Sequence, residues 1–191
     1  MGKNRLEAFS DGVIAIIITI MVLELKVPHG DQPSELMATL PVMLSYVLSF
    51  IYVGIYWNNH HHLFHVARHV DGAVMWGNLH LLFWLSIVPF VTSWMGQHHD
   101  SAWPVAMYGV VLMMAGTAYY ILTQALIALH GRESAIAKAL GNDFKGKLSV
   151  VIYLLAIGLA FVEAWLALAL YAGVAALWIV PDRRIERVLK E

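Results

Sequence analysis

The sequence predicts an all-α membrane protein with six transmembrane helices in a single domain, residues 1–191, and three observations support this. Of its 191 residues, 60% are hydrophobic and only 13% are charged, whereas soluble domains carry about 25% charged residues. The apolar residues fall in stretches long enough to cross a bilayer, which takes about 20 residues. The segments between these stretches are short, so they leave no room for a soluble catalytic domain. We therefore expect a membrane protein that is not an enzyme.

Composition excludes several other classes of protein. The formal net charge is −1 with His counted as neutral, so no basic excess suggests a nucleic-acid partner. Cysteine is absent, which rules out disulfides and thiolate chemistry. The first apolar run follows Asp11 and lacks a convincing small-residue cleavage site, which favours a permanent helix over a signal peptide.

The first four predicted spans are bounded by polar residues or by Pro and Gly. They cover residues 6–27, 41–66, 73–95 and 103–130. Pro28 and Gly30 end the first span. Pro41 is a favourable first-turn residue for the second span.

The last apolar stretch, residues 148–180, is too long for one ordinary span and short for two. Glu163 lies near its middle. We predict two short helices, 147–162 and 164–180, joined by a tight turn around Val162–Trp165. One long tilted helix would instead give five spans.

The positions of the basic residues favour six spans. With six spans and a cytoplasmic N-terminus, eleven of the twelve Lys and Arg lie on the inner side, and only Lys26 lies outside. Short cytoplasmic loops carry this excess of Lys and Arg. Five spans would place four C-terminal basic residues outside: Arg183, Arg184, Arg187 and Lys190. We therefore expect a multi-pass protein of the plasma membrane with both termini in the cytoplasm.

The first helix begins with an unusual group of polar residues: Arg5, Phe9, Ser10 and Asp11. Arg5 and Asp11 are six residues apart, so they lie about 120° apart around a helix and cannot easily pair with each other. This favours bonds from each of them to other helices. The alternative is that Arg5 extends to the membrane interface while Ser10 and Asp11 form an ordinary helix cap.

These residues resemble the signature of the transmembrane protein 175 family of potassium channels, in which Arg, three residues and Phe-Ser-Asp open the first helix. The second helix continues the resemblance with Trp57 followed closely by Asn59, His60 and His61, similar to the family's Trp and Asn-His-His. The third helix adds Leu81-Leu82-Phe83 and then Pro89-Phe90 with Thr92. Three motifs in the right order on successive helices identify the chain as a member.

The resemblance implies a potassium-selective passive channel in which the first helices of a homotetramer line a central pore in the lipid bilayer. It implies no cofactor beyond the permeant K⁺ ion. The sequence lacks the Thr-Val-Gly-Tyr-Gly filter of other potassium channels, so a ring of backbone carbonyls is excluded. A proton-conducting leak channel of the same family is the nearest alternative. A transporter is disfavoured because we find no inverted repeat.

The resemblance also assigns residues to the pore. It maps the constriction onto Ile16, a hydroxyl that assists ion selection onto Thr19, and further hydrophobic layers onto Ile20 and Leu23. At 100° per residue these four residues lie within about 60° of Ile16, whereas Asp11 lies about 140° away and is expected to point into the protein. Without the motif, such an isoleucine stripe would be assigned to lipid.

Histidines suggest a different function. His61, His65 and His69 are spaced i, i+4, i+8 and could bind a transition metal or haem if the second helix continues that far. Carboxylates are poorly placed for such a site, so we favour interfacial hydrogen bonds and expect no metal. The resemblance places His60 or His61 in a polar network with Arg5 and Asp11. We further predict that Asn78 bonds between helices and that Gly109 and Gly116 allow close helix packing.

Overall fold

The computed structural model describes residues 2–28, 30–131, 133–134, 136–137 and 144–179. Within these ranges the chain is helical, and seven helices are defined. They are α1 Lys3–Leu23, α2 Pro33–Ala38, α3 Leu40–Val66, α4 Gly72–Gln97, α5 Ala102–His130, α6 Phe144–Leu159 and α7 Ala164–Ile179. The predicted end of the last span at Val180 and the basic residues Arg132, Lys138 and 183–190 lie outside the described residues.

Four helices, α1, α3, α4 and α5, are long and apolar enough to cross a membrane. Helices α6 and α7 have 16 residues each, which gives each a length of about 24 Å. Residues 160–162 form a turn between them. The final apolar stretch is therefore two short helices, as its length and Glu163 indicate, and not one long helix.

Two features at the C-terminal end of α1 differ from the sequence prediction. Helix α1 ends at Leu23 rather than at Val27. Two charged residues, Glu24 and Lys26, follow Leu23, and Pro28 disfavours a helical conformation for the residue before it. The short helix α2 was not predicted; Pro33 occupies its first turn, where the missing N–H costs nothing.

The core of the bundle is built around α4 and α5, which pack along each other. Helix α4 also packs against α1 and α3, and α5 packs against α6 and α7. The fully buried side chains between them include Leu81, Leu85, Leu112, Leu122 and Leu126. Helices α1 and α6 thus lie on opposite sides of a common α4–α5 centre.

Gly109 allows α7 to approach α5 closely. The Tyr171 hydroxyl occupies the place that a Cβ atom at Gly109 would need, and it donates a hydrogen bond to the Val105 carbonyl at 3.1 Å. Any side chain at position 109 would displace Tyr171. This confirms the prediction of close packing for Gly109 but not for Gly116, where a Cβ atom would meet only the Tyr56 hydroxyl, at 3.5 Å.

Candidate functional site

Helix α1 has one packed face and one open face. Its buried residues are Leu6, Ser10, Ile14, Ile17 and Met21, which recur every three or four residues and face α3 and α4. The residues predicted for the pore lie on the other face, where Ile16, Ile20 and Leu23 are 58%, 43% and 80% exposed. A single chain therefore presents a continuous apolar stripe along its first helix.

Thr19 adds a hydroxyl to this stripe. It is exposed, and its Oγ1 donates to the Ile16 carbonyl at 2.8 Å. A hydroxyl oxygen that has donated its proton keeps two lone pairs as acceptors. The Thr19 oxygen can therefore present negative partial charge to a cation that passes along the stripe.

The buried face of α1 carries a polar chain through three helices. Asn78 of α4 donates from Nδ2 to Ser10 Oγ at 2.9 Å, and Ser10 donates to the Leu6 carbonyl at 2.8 Å. The Oδ1 atom of Asn78 lies 2.8 Å from His60 Nε2 on α3. Because an amide oxygen can only accept, His60 carries the proton on Nε2. All three side chains are at most 1% exposed, so this chain fixes the packing of α1, α3 and α4.

Asn78 confirms the prediction of a bond between helices, but the sequence analysis did not connect it to the motif on the first helix. It is the residue that joins Ser10 to His60. The available signal was an amide at an otherwise apolar position of α4, next to Gly77, whose missing side chain brings the Leu122 backbone of α5 close.

Asp11 forms a second, separate contact at the surface. Trp57 of α3 donates from Nε1 to Asp11 Oδ1 at 3.0 Å, and the ring of His61 stacks on Trp57 with a centroid distance of 6.1 Å. Asp11, Trp57 and His61 are all exposed. The expectation that Asp11 points into the protein is therefore wrong within one chain, although it does bond to another helix.

Three further motif residues, Arg5, Phe9 and Asn59, do not join either of these two contacts through their side chains. Arg5 and Phe9 are exposed and lie about 20° from Ile16 around the helix, so they continue the open stripe toward the N-terminus. Within the described part of the chain, no partner for the Arg5 guanidinium is seen. Asn59 accepts a hydrogen bond from Tyr119 through its backbone carbonyl at 3.3 Å, not through its side chain.

Beside the open stripe, α1 and α4 enclose an apolar groove of about 690 Å³. Ile16, Ile17 and Ile20 form one wall, and Phe90 and Trp94 of α4 form the other. At the C-terminal end of α1, Ser93 of α4 donates to Glu24 at 3.2 Å, which links the residue after α1 to α4. The stripe and the groove together make a broad uncovered surface.

The histidine triplet does not lie on one helix. Helix α3 ends at Val66, and Ala67 has an extended backbone. The ring of His69 instead lies against that of His130 in a tilted arrangement with a centroid distance of 4.6 Å, and His130 Nε2 accepts from the Arg68 backbone N–H at 3.0 Å. The condition for a His61–His65–His69 metal site, a helix that continues to His69, is therefore not met. No group of three or more potential metal ligands is found among the described residues.

Comparison with known proteins identifies the family that this chain resembles and several relatives. Residues 5–89 match the family described as "Endosomal/lysosomal potassium channel TMEM175". A protein of Chryseobacterium sp. named "Potassium channel" is 52% identical over 191 residues, and the alignment covers 100% of both chains. A "Potassium channel" of Streptomyces collinus is 38% identical over 188 residues, covering 92% of this chain and 90% of that protein.

A solved structure shows the same fold. The crystal structure of a lysosomal potassium-selective channel TMEM175 homolog from Chamaesiphon minutus superposes with a TM-score of 0.80 and 28% identity. The superposition covers 94% of this chain and 97% of that one. With relatives aligned over its full length and this agreement in fold, the chain belongs to the TMEM175 family.

Proposed function

We propose that the protein is a potassium-selective passive ion channel, and not an enzyme, in which α1 of four subunits surrounds one pore. The observation that carries this proposal is the agreement between family and geometry. Relatives that align over at least nine-tenths of their length are named potassium channels, and the helix with the family motif leaves its Ile16–Thr19–Ile20–Leu23 face open. The full-length relatives named for potassium favour K⁺ over protons as the conducted ion.

Assembly follows from the open surface of α1. One helix cannot enclose a pore, and homo-oligomers usually have closed point-group symmetry. The uncovered stripe and the α1–α4 groove provide apolar surface for neighbouring copies. Arg5, exposed at the N-terminal end of the stripe, is then available to polar groups of adjacent subunits. We propose a homotetramer with the four α1 helices at its axis.

In such a ring, ion passage is controlled by dehydration. Four Ile16 side chains form an apolar constriction, and an apolar ring resists wetting and so hinders hydrated ions. Ile20 and Leu23 add further layers toward the outer side. The four Thr19 oxygens are the acceptors nearest to the constriction, and they offset part of the lost hydration of a cation.

The proposed topology has six spans with both termini in the cytoplasm of a plasma-membrane protein. Helices α1, α3, α4 and α5 supply four spans, and α6 and α7 supply two short ones. The distribution of basic residues in the sequence supports this orientation. Because α6 and α7 are each shorter than the roughly 30 Å hydrocarbon core, we expect the bilayer to thin locally beside them or Lys145 and Trp178 to reach its interface.

Reconstitution into liposomes tests the function. Vesicles that contain the purified protein and a membrane-potential dye should respond to a K⁺ gradient much more strongly than to an equal Na⁺ gradient, and protein-free vesicles should not respond. Equal responses to the two cations would refute potassium selectivity. A response to a pH gradient alone would favour the proton leak. Mass measurement in detergent should give four subunits, and a monomer or dimer as the sole species would refute the ring.

A further inference from the structure

A cavity of about 410 Å³ lies in the bundle away from the candidate pore. Its walls come from α3, α5 and α6, with Trp178 of α7 at one end, and no residue of α1 is among the described residues that line it. Its lining includes Gly146 and Lys147 at the start of α6. Its position makes it independent of the proposed conduction path.

The long wall of the cavity is apolar and aromatic. Tyr56 and Tyr120 face it from α3 and α5, and Val150 faces it from α6. Gly116 leaves space in the wall, since a Cβ atom there would meet only the Tyr56 hydroxyl, at 3.5 Å. A slot of this size and lining is typical of sites that bury an apolar ligand.

Two polar side chains of the lining come from the C-terminal part of α3 and the start of α6: Asn59 and Lys147. No hydrogen bond from the Asn59 side-chain amide is seen within the described residues. Nearby, Trp178 donates to Ser149 at 2.9 Å, and Lys145 Nζ lies 5.8 Å from the Trp178 ring centroid. The cavity thus has an apolar body and a basic, hydrogen-bonding end.

We propose that this cavity binds one anionic phospholipid per chain. An acyl chain lies along the tyrosine-lined wall, and the phosphate lies at the end formed by Lys147 and Asn59. Basic pockets between membrane helices bind anionic lipid headgroups in this way. A zwitterionic lipid carries a choline cation that Lys147 would repel, so phosphatidylglycerol is preferred over phosphatidylcholine.

Native mass spectrometry of the full chain in neutral detergent, with equal phosphatidylglycerol and phosphatidylcholine, tests this proposal. One phosphatidylglycerol per chain should be retained in preference to phosphatidylcholine. Lys147→Gln should weaken its retention about fivefold, the effect expected for one lysine near a lipid headgroup. Lys26→Gln, which removes a lysine from the opposite end of the bundle, is the matched control and should change nothing.

A second pair of variants tests the slot itself. Gly116→Leu should fill the cavity and abolish retention, whereas Gly158→Leu, at an exposed position of α6 with no neighbour within 4 Å, should not. Equal retention of the two lipids, or retention of phosphatidylglycerol that neither Lys147→Gln nor Gly116→Leu reduces, would overturn the proposal. Because lipid binding is measured without ion flux, its failure is distinguishable from failure of the channel assignment.

Discussion

Helices α1 and α4 are both long, apolar and able to cross a membrane, yet the bundle uses them differently. In an apolar 18-residue stretch of α4, 50% of the residues are buried inside the chain, compared with 28% in the corresponding stretch of α1. Helix α4 packs against α1, α3 and α5, so about half of it contributes to the core. Helix α1 packs on one side only. Hydrophobicity thus predicts that both helices span the membrane. Only their packing shows that α4 belongs to the core of the bundle while α1 keeps a face that can contact other subunits.

The same contrast exists within α1 between adjacent residues. Ile16 is 58% exposed and Ile17 is 3% exposed, although the two side chains are identical. Their difference is a rotation of about 100° around the helix. The following predictions use this contrast between the packed and open faces, in order of decreasing effect.

Ile17→Asn should destabilise the protein by about 3 kcal/mol, because it removes buried apolar volume and places an amide where no partner is available. Thermal unfolding in detergent measures this effect. Ile16→Asn is the control and should unfold close to the parent. If both variants lose the same stability, the two faces are not packed differently in the assembled protein.

Asn78→Leu should cost about 2 kcal/mol. Ser10 still donates to the Leu6 carbonyl, but the His60 Nε2–H loses its acceptor in a buried site. Asn58→Leu is the control, because Asn58 is a half-buried residue of α3 with no side-chain hydrogen bond seen among the described residues. Thermal unfolding is again the measurement. Replacing both partners, with His60→Leu added to Asn78→Leu, should recover part of the loss. A double variant that is less stable than Asn78→Leu alone would contradict this account of the polar chain.

Ile16→Asn should raise cation flux about tenfold, which corresponds to about 1.4 kcal/mol, and should weaken K⁺ over Na⁺ discrimination. Four amides in the proposed constriction would favour wetting. Flux into liposomes with matched amounts of tetramer measures both effects. Unchanged flux for Ile16→Asn, together with altered flux and selectivity for Ile17→Asn, would show that the other face of α1 lines the pore.

Asp11→Ala should have the smallest effect, a loss of about 1 kcal/mol, because it removes one hydrogen bond between exposed side chains. A penalty of 3–5 kcal/mol would require a buried, unpaired charge, and Asp11 is exposed within one chain. A double-mutant cycle of Asp11→Ala with Trp57→Phe in thermal unfolding should be non-additive. A strictly additive cycle would indicate that Asp11 acts through a neighbouring subunit instead. Glu35→Ala, on the exposed helix α2, is the control.

Much of the fold could be predicted from the sequence, since each helix except the short α2 contains a long apolar run, and each interruption between these runs contains Pro, Gly or charge. The turn near Glu163 is an example. The helix ends were less predictable. Val27 is apolar but follows Glu24 and Lys26, and hydropathy averaged over a window does not detect that two charges end the helix four residues earlier. The second predicted span ends at residue 66, as α3 does, whereas the i, i+4, i+8 spacing of His61, His65 and His69 carries no information on where the backbone leaves the helix.

The candidate site also has a part that the sequence predicts and a part that it does not. The common face of Ile16, Thr19, Ile20 and Leu23 follows from helical periodicity alone, and the structure leaves this face open. The partners of the motif residues do not follow from periodicity. Ser10 bonds to Asn78, Asp11 bonds to Trp57, and Arg5 bonds to no described residue, although all three belong to one short motif.

The sequence by itself determined that this protein lies in a lipid bilayer, approximately where its helices are, and which residues share a face of α1. Hydropathy and the 100° rotation per residue are local properties. Only the tertiary structure decided which of those faces is buried and which polar groups meet. Asn78 lies 68 residues from Ser10 and 18 residues from His60 along the chain, and the three meet only because α4 packs between α1 and α3. Contacts of this kind depend on how whole helices are arranged, and a local sequence pattern does not predict that arrangement.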